Sequence, residues 1–246
     1  MRFAAIADVH GNHLALEAVL ADIEAQGISE IVNLGDCLSG PLEAGKAADR
    51  LMSLDALTVR GNHDRYLTES PADAMPSWEQ HAYGQLSAAH LGWLRSLPFS
   101  AVYRDEVYLC HATPKHDETY WLESVSPDGH VFLKPLEEIE ALAEGIEQKL
   151  ILCGHSHVPR MVRLSDGRLI VNPGSVGCPG YSDDTPYEHK VEAGHPLASY
   201  CIVEKTASGF APQFRTVAYD HMAMSRLARE NGRDGWASAL ATGWVR

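Results

Sequence analysis

The chain has 246 residues, of which 45% are apolar and 22% are charged. These values are typical of a globular protein, and they exclude collagen, coiled coils and wholesale disorder. The 20 Lys and Arg residues against 33 Asp and Glu residues give a net charge of −13. Long nucleic acid is therefore not an expected partner, because its binding depends on Lys and Arg contacts to the phosphate backbone.

The cysteines and the amino-terminal segment bear on where the protein works. The chain has five cysteines, an odd number without a CxxC pair, which argues against a disulfide framework and for reduced thiols. Asp8 comes too early for a signal peptide, and no apolar run approaches the roughly 18 residues of a membrane span. We expect a soluble, cytoplasmic protein with no membrane partner.

Short buried strands alternate with amphipathic helices in the first half of the chain. The predicted strands are residues 2–7, 30–34 and 56–59, and the predicted helices lie around residues 16–23, 43–54 and 78–97. Gly27 and Pro98 end the first and the third helix. This βαβαβ order predicts an α/β fold.

Hairpins dominate the second half. The predicted elements are strands at residues 99–103, 107–110, 150–153, 160–164, 169–171, 200–204 and 213–219, an acidic helix at 135–145 and a helical tail from about residue 220. Residues 165–168 are a typical hairpin turn. Two stretches, 112–134 and 172–196, show no clear pattern and are expected to be long functional loops. Because no linker interrupts the chain, we expect residues 1–246 to form a single domain.

Polar clusters follow the carboxyl ends of five predicted strands. They are Asp8-Val9-His10-Gly11-Asn12, Gly35-Asp36, Gly61-Asn62-His63-Asp64, His111 and Gly154-His155-Ser156-His157. In an α/β sheet these ends border the crevice where ligands bind. The spacing of Asp8 and His10, and of His155 and His157, aims two side chains to one side of an extended segment. Each cluster alone fits a helix cap, a polar turn or a core histidine, but their combination predicts a metal site.

The set DVHGN, GD, GNHD, a histidine at a strand end and GHSH resembles the calcineurin-like metallophosphoesterases over residues 1–177. The likeness is to small bacterial members of the phosphodiesterase type. It implies an α/β fold of two stacked mixed β-sheets flanked by helices, which is a four-layer α/β/β/α sandwich. The strands and helices predicted from the apolar pattern agree with that architecture.

The resemblance implies two metal ions that share Asp36. One ion would be bound by Asp8, His10, Asp36 and His157, and the other by Asp36, Asn62, His111 and His155. Mixed nitrogen and oxygen donors suit divalent transition-metal ions such as Mn, Fe, Zn, Co or Ni, and argue against an all-oxygen calcium site. The sequence does not decide among these metals. Two such ions would give an acidic protein a local positive site for one phosphate group.

His63 is the predicted catalytic residue. In the family the corresponding histidine faces the leaving group, so the resemblance implies that His63 protonates the departing oxygen. The nucleophile would be a metal-bridging hydroxide, and no covalent phospho-enzyme would form. Asp64 is expected to orient the ring of His63.

Departures from the family pattern narrow the range of expected substrates. Protein phosphatases and symmetrical dinucleoside tetraphosphatases carry an Arg in a GDxVxRG pattern, whereas this chain has GDCLSGP and lacks that bidentate phosphate ligand. The resemblance therefore favours a phosphodiesterase acting on small nucleotide-like phosphodiesters. Phosphomonoesters and dinucleoside polyphosphates are the alternative substrates. A non-catalytic scaffold of the same fold is the alternative outside the enzymes, but the presence of all seven predicted ligands and of His63 argues against it.

The loop that begins at His111 is a candidate wall of the substrate site. Lys115 and His116 are expected near a phosphate, and Tyr120 or Trp121 near a base. The alternative is that the aromatic residues pack the loop onto the body of the protein.

A stripe of apolar residues in the tail has two interpretations. Trp236, Leu240 and Trp244 recur on one side of a predicted helix. Core packing is the simpler interpretation, and a contact in a homo-oligomer is the alternative. Cys110 and Cys153 lie inside apolar strands and are expected to be buried thiols, not ligands.

Overall fold

The computed structural model describes residues 1–71 and 73–246, which contain 14 strands and eight helices. The strands are β1 (Arg2–Ile6), β2 (Ile31–Asn33), β3 (Ala56–Thr58), β4 (Ser100–Tyr103), β5 (Val107–Cys110), β6 (Glu123–Val125), β7 (Val131–Leu133), β8 (Leu150–Leu152), β9 (Arg160–Arg163), β10 (Leu169–Asn172), β11 (Gly180–Asp183), β12 (His189–Glu192), β13 (Ala198–Thr206) and β14 (Gly209–Val217). The helices are α1 (His13–Ala25), α2 (Ala44–Met52), α3 (Asn62–Glu69), α4 (Ser77–Tyr83), α5 (Ala88–Ser96), α6 (Leu136–Leu142), α7 (His221–Glu230) and α8 (Asp234–Thr242).

Two five-stranded mixed sheets form the centre of the protein. The first has the order β14-β13-β1-β2-β3, and the second has the order β4-β5-β8-β10-β9. Strands β1, β2 and β3 are parallel to one another, and so are β5, β8 and β10. The other strands of both sheets pair antiparallel. Each sheet therefore gathers the segments that follow its parallel strands at one edge.

The two sheets face each other across one apolar core. This core contains, among others, Phe3, Ala5, Val32, Leu109, Leu152 and Val171. The alternate residues of β1, Ala4 and Ile6, face the other way and pack with α1 and α2, as the two-residue period of a strand requires. Helix α6 and Trp121 cover the outer face of the second sheet. The predicted four-layer α/β/β/α sandwich is confirmed.

Local signals in the sequence set the ends of several elements. The side chain of Asn12 accepts a hydrogen bond from the backbone N–H of Ala15 at the start of α1, which satisfies one of the N–H groups left free there. Gly27, with a φ of 68°, follows the end of this helix. Arg104 and Asp105 also have positive φ, which suits the tight turn of the predicted β4–β5 hairpin.

Two stretches that were expected to be irregular contain strands, and one helix was not predicted. Residues 112–134 and 172–196, expected to be irregular, contain the hairpins β6–β7 and β11–β12, whose strands of three or four residues are too short for a clear alternation. The helical region predicted at 78–97 is present and consists of two helices, α4 and α5. Helix α3 was not predicted, because it begins inside a polar cluster where no apolar period marks it.

The carboxyl-terminal part completes both the first sheet and the helical layer. The long hairpin β13–β14 pairs with β1. The segment that follows it contains α7 and α8, which pack together on Leu42. Among the described residues, no helix has the length and apolar character needed to cross a membrane. All five cysteines are free and buried, and Cys110 and Cys153 belong to the core beneath α6.

Candidate metal centre

The seven side chains predicted as metal ligands lie at the ends of parallel strands. Asp8 and His10 follow β1, Asp36 follows β2, Asn62 follows β3, His111 comes directly after β5, and His155 and His157 follow β8. All are buried except His155, which is partly exposed. The fold therefore brings together every side chain that the sequence placed in this set.

The backbone of these segments is unusual. Seven non-glycine residues among those that the structure describes have a φ in the left-handed region, and five of the seven belong to the predicted ligand set, namely Asp8, His10, Asp36, His155 and His157. A side chain makes this conformation unfavourable by about 1–2 kcal/mol, and such strain concentrates at functional sites. The pairs with i, i+2 spacing therefore lie on turns, and the extended conformation expected from their spacing was wrong.

A first group of candidate ligands consists of Asp8, His10 and His157, with ligand atoms within 4.8 Å of one another. Nδ1 of His10 lies 3.1 Å from the carbonyl oxygen of Ser39, and Nδ1 of His157 lies 2.9 Å from that of Cys178. Because a carbonyl oxygen only accepts, each Nδ1 carries the hydrogen. The Nε2 atoms of the two rings lie 3.2 Å apart. Burial lowers the pKa of His10, whereas the carboxylate of Asp8 outweighs burial and raises the pKa of His157. A cation held by Asp8 and the two Nε2 atoms would take the place of the proton that His157 carries.

A second group consists of Asp36, His111 and His155, again with ligand atoms within 4.8 Å of one another. Nδ1 of His111 lies 2.8 Å from the carbonyl oxygen of Leu34, so this ring also keeps its hydrogen on Nδ1. Its Nε2 lies 3.2 Å from Oδ2 of Asp36 and 3.1 Å from Oδ1 of Asn62. A carboxylate oxygen and an amide oxygen thus converge on one imidazole nitrogen, and the nitrogen and oxygen atoms of both groups fit divalent transition-metal ions.

Asp36 connects the two groups. Its Oδ2 lies 3.2 Å from Nε2 of His111 in the second group and 3.8 Å from Nε2 of His10 in the first. Gly61 allows this carboxylate to sit where it does, because a Cβ atom at that position would lie 2.1 Å from Oδ1 of Asp36. The glycine of the GNHD motif is therefore required by close approach of the backbone to a carboxylate.

The electrostatics of the second group differ between its two imidazoles. Burial opposes the charged form of His111, but the carboxylate of Asp36 outweighs it and raises the pKa of His111 to about 9. Burial and the neighbouring His111 lower the pKa of His155 to about 3. The pKa of Asp36 lies well below its usual range because the surrounding histidines outweigh burial. Asp36 and His155 therefore already have the ionised and neutral forms that bind metal ions, whereas metal binding would release the proton that His111 holds.

His63 lies beside both groups and lines the cleft above them. The prediction that Asp64 orients its ring was wrong. The carboxylate of Asp64 instead accepts hydrogen bonds of 2.9–3.0 Å from three backbone N–H groups, those of Asp36, Cys37 and Gly61. Asp64 therefore fixes the turns that carry the candidate ligands.

Glu79, which no signal in the sequence marked, contacts His63. Oε1 of Glu79, in α4, lies 2.5 Å from Nδ1 of His63 and accepts a hydrogen bond of 3.1 Å from the hydroxyl of Ser39. Glu79 lies 16 residues beyond His63 and outside every motif, so no local signal marks it.

Both ligand groups open into a cleft with a volume of about 940 Å³. Its aromatic lining residues are Tyr66, Trp78, Tyr120, Tyr181 and Trp236, and the charged ones outside the ligand groups are Asp183, Asp184, Glu188, Arg233 and Asp234. Arg233 is the one Lys or Arg in this lining among the described residues, and its guanidinium lies 5.8 Å from the centre of the Trp78 ring. The cleft thus combines aromatic surface with one cation and several carboxylates.

The loop after β5 contributes one of the expected residues to this cleft. The ring of Tyr120 lies 5.2 Å from that of His155, between ring centres. Trp121 is buried in the core instead, in agreement with the packing alternative. Lys115 and His116 are exposed and do not line the cleft, so the structure does not support their expected contact with phosphate.

The apolar stripe of the tail does not pack as one face. Leu240 is fully buried, whereas Trp244 lies beyond the end of α8 and is 48% exposed. Trp236 lines the cleft. The apolar stripe in the sequence did not predict this location.

Comparisons with known proteins agree with this geometry. The family model of the calcineurin-like phosphoesterase superfamily domain matches residues 1–192. The chain is 29% identical over 244 residues to an uncharacterised protein of Methanocaldococcus jannaschii, covering 88% of this chain and 87% of that protein.

Solved structures are similar over nearly the whole chain. A metallophosphoesterase from Sphaerobacter thermophilus has a TM-score of 0.75 at 27% identity, with 99% of both chains covered. A hypothetical protein from Pyrococcus horikoshii has a TM-score of 0.76 at 20% identity, covering 100% of this chain and 99% of that one, which is a likeness of fold. Together with the two ligand groups at the strand ends, the family match means that the chain is a metal-dependent phosphoesterase of the calcineurin-like phosphoesterase superfamily.

Proposed function

We propose that the protein is a dinuclear metal-dependent phosphodiesterase that hydrolyses small nucleotide-like phosphodiesters. The position of Asp36 is the observation that supports two metal ions. Its Oδ2 lies 3.8 Å from Nε2 of His10 in one ligand group and 3.2 Å from Nε2 of His111 in the other. A carboxylate in that position can bind two cations at once, and paired cations are a common device for phosphate-ester hydrolysis.

The two sites would share one ligand. One ion would be held by Asp8, His10, Asp36 and His157, and the other by Asp36, Asn62, His111 and His155. These donors suit Mn, Fe, Zn, Co or Ni. When bound, the two ions would supply Lewis-acid activation of a water molecule and would offset the charge of the phosphate oxygens.

His63 would be the proton donor to the leaving group. It lines the cleft, and its backbone N–H donates a hydrogen bond of 3.0 Å to Oδ1 of Asp36, so its ring is held next to the shared ligand. Nδ1 is turned toward Glu79, which leaves Nε2 for the departing oxygen. A histidine suits this role because its pKa is close to neutrality.

The charges of the cleft favour a diester over the alternative substrates. Arg233 is accompanied by four carboxylates, those of Asp183, Asp184, Glu188 and Asp234. A phosphodiester has one negative charge, a monoester has about −1.5 to −2 at neutral pH, and a dinucleoside polyphosphate has more. Additional negative charge would meet repulsion from these carboxylates, while the aromatic lining offers a face for a nucleobase.

We place this activity in a single domain of residues 1–246 in the cytoplasm. Strand β13, beyond the family match, pairs with β1 inside it, and Arg233 and Trp236 from the tail line the cleft. The five free cysteines favour a reducing compartment.

Metal analysis and an ester panel test the proposal. Protein loaded with Mn²⁺, Co²⁺, Ni²⁺, Zn²⁺ or Mg²⁺ would be assayed on mono- and bis-p-nitrophenyl phosphate, a dinucleoside monophosphate and a dinucleoside tetraphosphate. We expect about two metal equivalents per chain at full activity and the highest kcat/KM for diesters. Full activity at one equivalent contradicts the dinuclear site, and a preference for the monoester or the tetraphosphate contradicts the substrate class. Failure of every metal and ester favours a non-catalytic scaffold.

A further inference from the structure

Below the cleft lies a carboxylate without any contact to solvent. Glu79 in α4 has a relative exposure of 0%, and its Oε1 lies 2.5 Å from Nδ1 of His63 and 3.1 Å from the hydroxyl of Ser39. Its Oε2 is also buried, and it has no hydrogen-bond partner among the residues that the structure describes.

Packing alone does not account for this carboxylate. A buried charge is unfavourable unless a cation and enough hydrogen bonds compensate for it, and the basic side chain at ion-pair distance from Glu79, among the described residues, is His63. An apolar side chain would fill the same space at a lower cost in desolvation. The contact with His63 is therefore the feature that a glutamate provides and an apolar residue does not.

We propose that Glu79 is a positioning residue for hydrolysis, which accepts the Nδ1–H of His63 and holds the ring with Nε2 toward the substrate. Ser39 donates its hydroxyl to Oε1 of Glu79 and fixes the carboxylate in turn. Ser39 belongs to the GDCLSGP segment, so the arrangement joins the second motif, the third motif and α4. This inference rests on the role proposed for His63.

A double-mutant cycle separates a positioning role from a structural one. Glu79→Ala is expected to lower kcat on a dinucleoside monophosphate by about 10- to 100-fold, the usual effect of removing a carboxylate that orients a histidine, with a small change in KM. In the His63→Ala background the same change is expected to have less than about a twofold effect, because Glu79 acts through a ring that is absent.

Glu79→Gln serves where Glu79→Ala does not fold, because it keeps the volume of the side chain. We expect a smaller loss of kcat than in Glu79→Ala, because the amide oxygen still accepts a hydrogen bond from the ring. Some loss is expected because this bond is weaker than the one to the carboxylate. Glu69→Gln is the matched control. It changes an exposed glutamate at the end of α3, the helix that carries His63, and is expected to leave kinetics unchanged.

A second measurement does not depend on activity. In Zn²⁺-loaded protein, the ring ¹⁵N and ¹H resonances of His63 are expected to report a hydrogen on Nδ1 that exchanges slowly with water. Glu79→Ala is expected to speed the exchange of this hydrogen strongly, because the hydroxyl of Ser39, 3.2 Å from Nδ1, is a weaker acceptor than the carboxylate. Metal content and Tm are expected to stay close to those of the wild type. These measurements test the position of the ring without reference to any substrate.

The outcomes distinguish this inference from the proposed function. An equal loss of kcat from Glu79→Ala in both backgrounds, an unchanged Nδ1 signal, or loss of metal in Glu79→Gln would each overturn the positioning role. If His63→Ala retains full activity, the role proposed for His63 fails and the catalytic role of Glu79 is overturned with it. In that case the Nδ1 signal still decides whether Glu79 positions the ring.

Discussion

The indole ring of Trp236 lies edge-on against the imidazole ring of His10, with ring centres 5.8 Å apart. His10 follows β1, whereas Trp236 belongs to α8, beyond residue 192 where the family match ends. The absence of a side chain at Gly40 leaves room for the indole, because a Cβ atom there would lie 3.1 Å from the Trp236 ring. Helix α8 therefore adds a wall to the cleft from residues beyond the family match.

Arg233, directly before α8, is expected to contribute to substrate binding. Because it is the one Lys or Arg among the described lining residues, Arg233→Ala should raise KM for a small diester about fivefold, equivalent to about 1 kcal/mol for a partly exposed charge. The change in kcat should be small, as for a contact equally strong in the ground and transition states. Steady-state kinetics with Arg226→Ala as the control, an exposed residue of α7, would check this. A lower KM in Arg233→Ala would mean that the guanidinium obstructs the cleft.

Asp36→Ala is expected to lose both metal equivalents and all activity together. The reason is its position between the two groups, 3.2 Å from His111 and 3.8 Å from His10. Elemental analysis after gel filtration measures the effect, and Asp55→Ala, at an exposed position, is the control. One equivalent retained at full occupancy in Asp36→Ala would show that the carboxylate serves a single site.

His63→Ala is expected to separate substrates by their leaving groups. A p-nitrophenolate leaves with little help, whereas a nucleoside or alkyl oxygen needs a proton, so the loss of about 10²–10⁴-fold typical of general acid catalysis should fall on the second type. The metal content should stay at the wild-type level, because His63 is not in either ligand group. Kinetics on both ester types, with metal analysis, provide the check. If both esters slow equally, His63 stabilises charge instead, and if a metal site empties, it is a ligand.

The strands of the two five-stranded sheets, and the polar segments that carry the candidate ligands, could be predicted from the sequence for a physical reason. Buried strands carry a strong apolar signal, and the polar residues that follow them, such as Asp8 and His111, stand out against it. Parallel pairing then brings those segments to the same edge of each sheet. Order along the chain was therefore enough to predict that these segments meet, whereas the assignment of individual ligands to two ions came from the family resemblance.

Other features depend on tertiary packing and leave no local trace. Glu79 and Arg233 lie in polar segments without a motif, and only the packing of α4 and α8 brings Glu79 to His63 and Arg233 to the cleft. The left-handed backbone at His155 and similar residues is also invisible in the sequence, because the surrounding fold imposes it against local preference. Asp64 was misassigned for the same reason, since its partners are backbone N–H groups.

Small phosphodiesters are expected to be preferred over long duplex DNA. The chain has a net charge of −13, so few phosphates beyond the reacting one can be neutralised by Lys or Arg. Each such contact adds about −0.9 to the slope of log affinity against log salt, and we expect a magnitude below about 2. Measurements of kcat/KM between 50 and 200 mM salt on a small diester and on long duplex DNA would test this. Efficient DNA cleavage with a steep salt dependence would favour a nuclease.

An ion pair that does not line the cleft links α1 to the first sheet. Arg215 in β14 donates hydrogen bonds of 2.8 and 2.9 Å to the two carboxylate oxygens of Asp22, and the hydroxyl of Tyr200 donates a third of 2.5 Å. The hydrogen bond from Arg215 is the main cause that lowers the pKa of Asp22 from its ordinary value, against a smaller effect of burial.

Asp22→Asn is expected to reduce the free energy of unfolding by about 1 kcal/mol at pH 7, the upper range for a partly exposed pair. Because the pKa of Asp22 is lower in the folded than in the unfolded chain, its charge stabilises the fold above the unfolded value of about 3.9, and this contribution disappears as the pH falls through the folded pKa. Urea denaturation of metal-free wild type and variant should therefore give curves that differ at pH 7 and converge at the lowest pH where both still fold. Glu24→Gln, at an exposed position of the same helix, should match the wild type throughout. A difference that stays constant with pH would mean that Asp22 acts through neutral hydrogen bonds or packing and not through its charge.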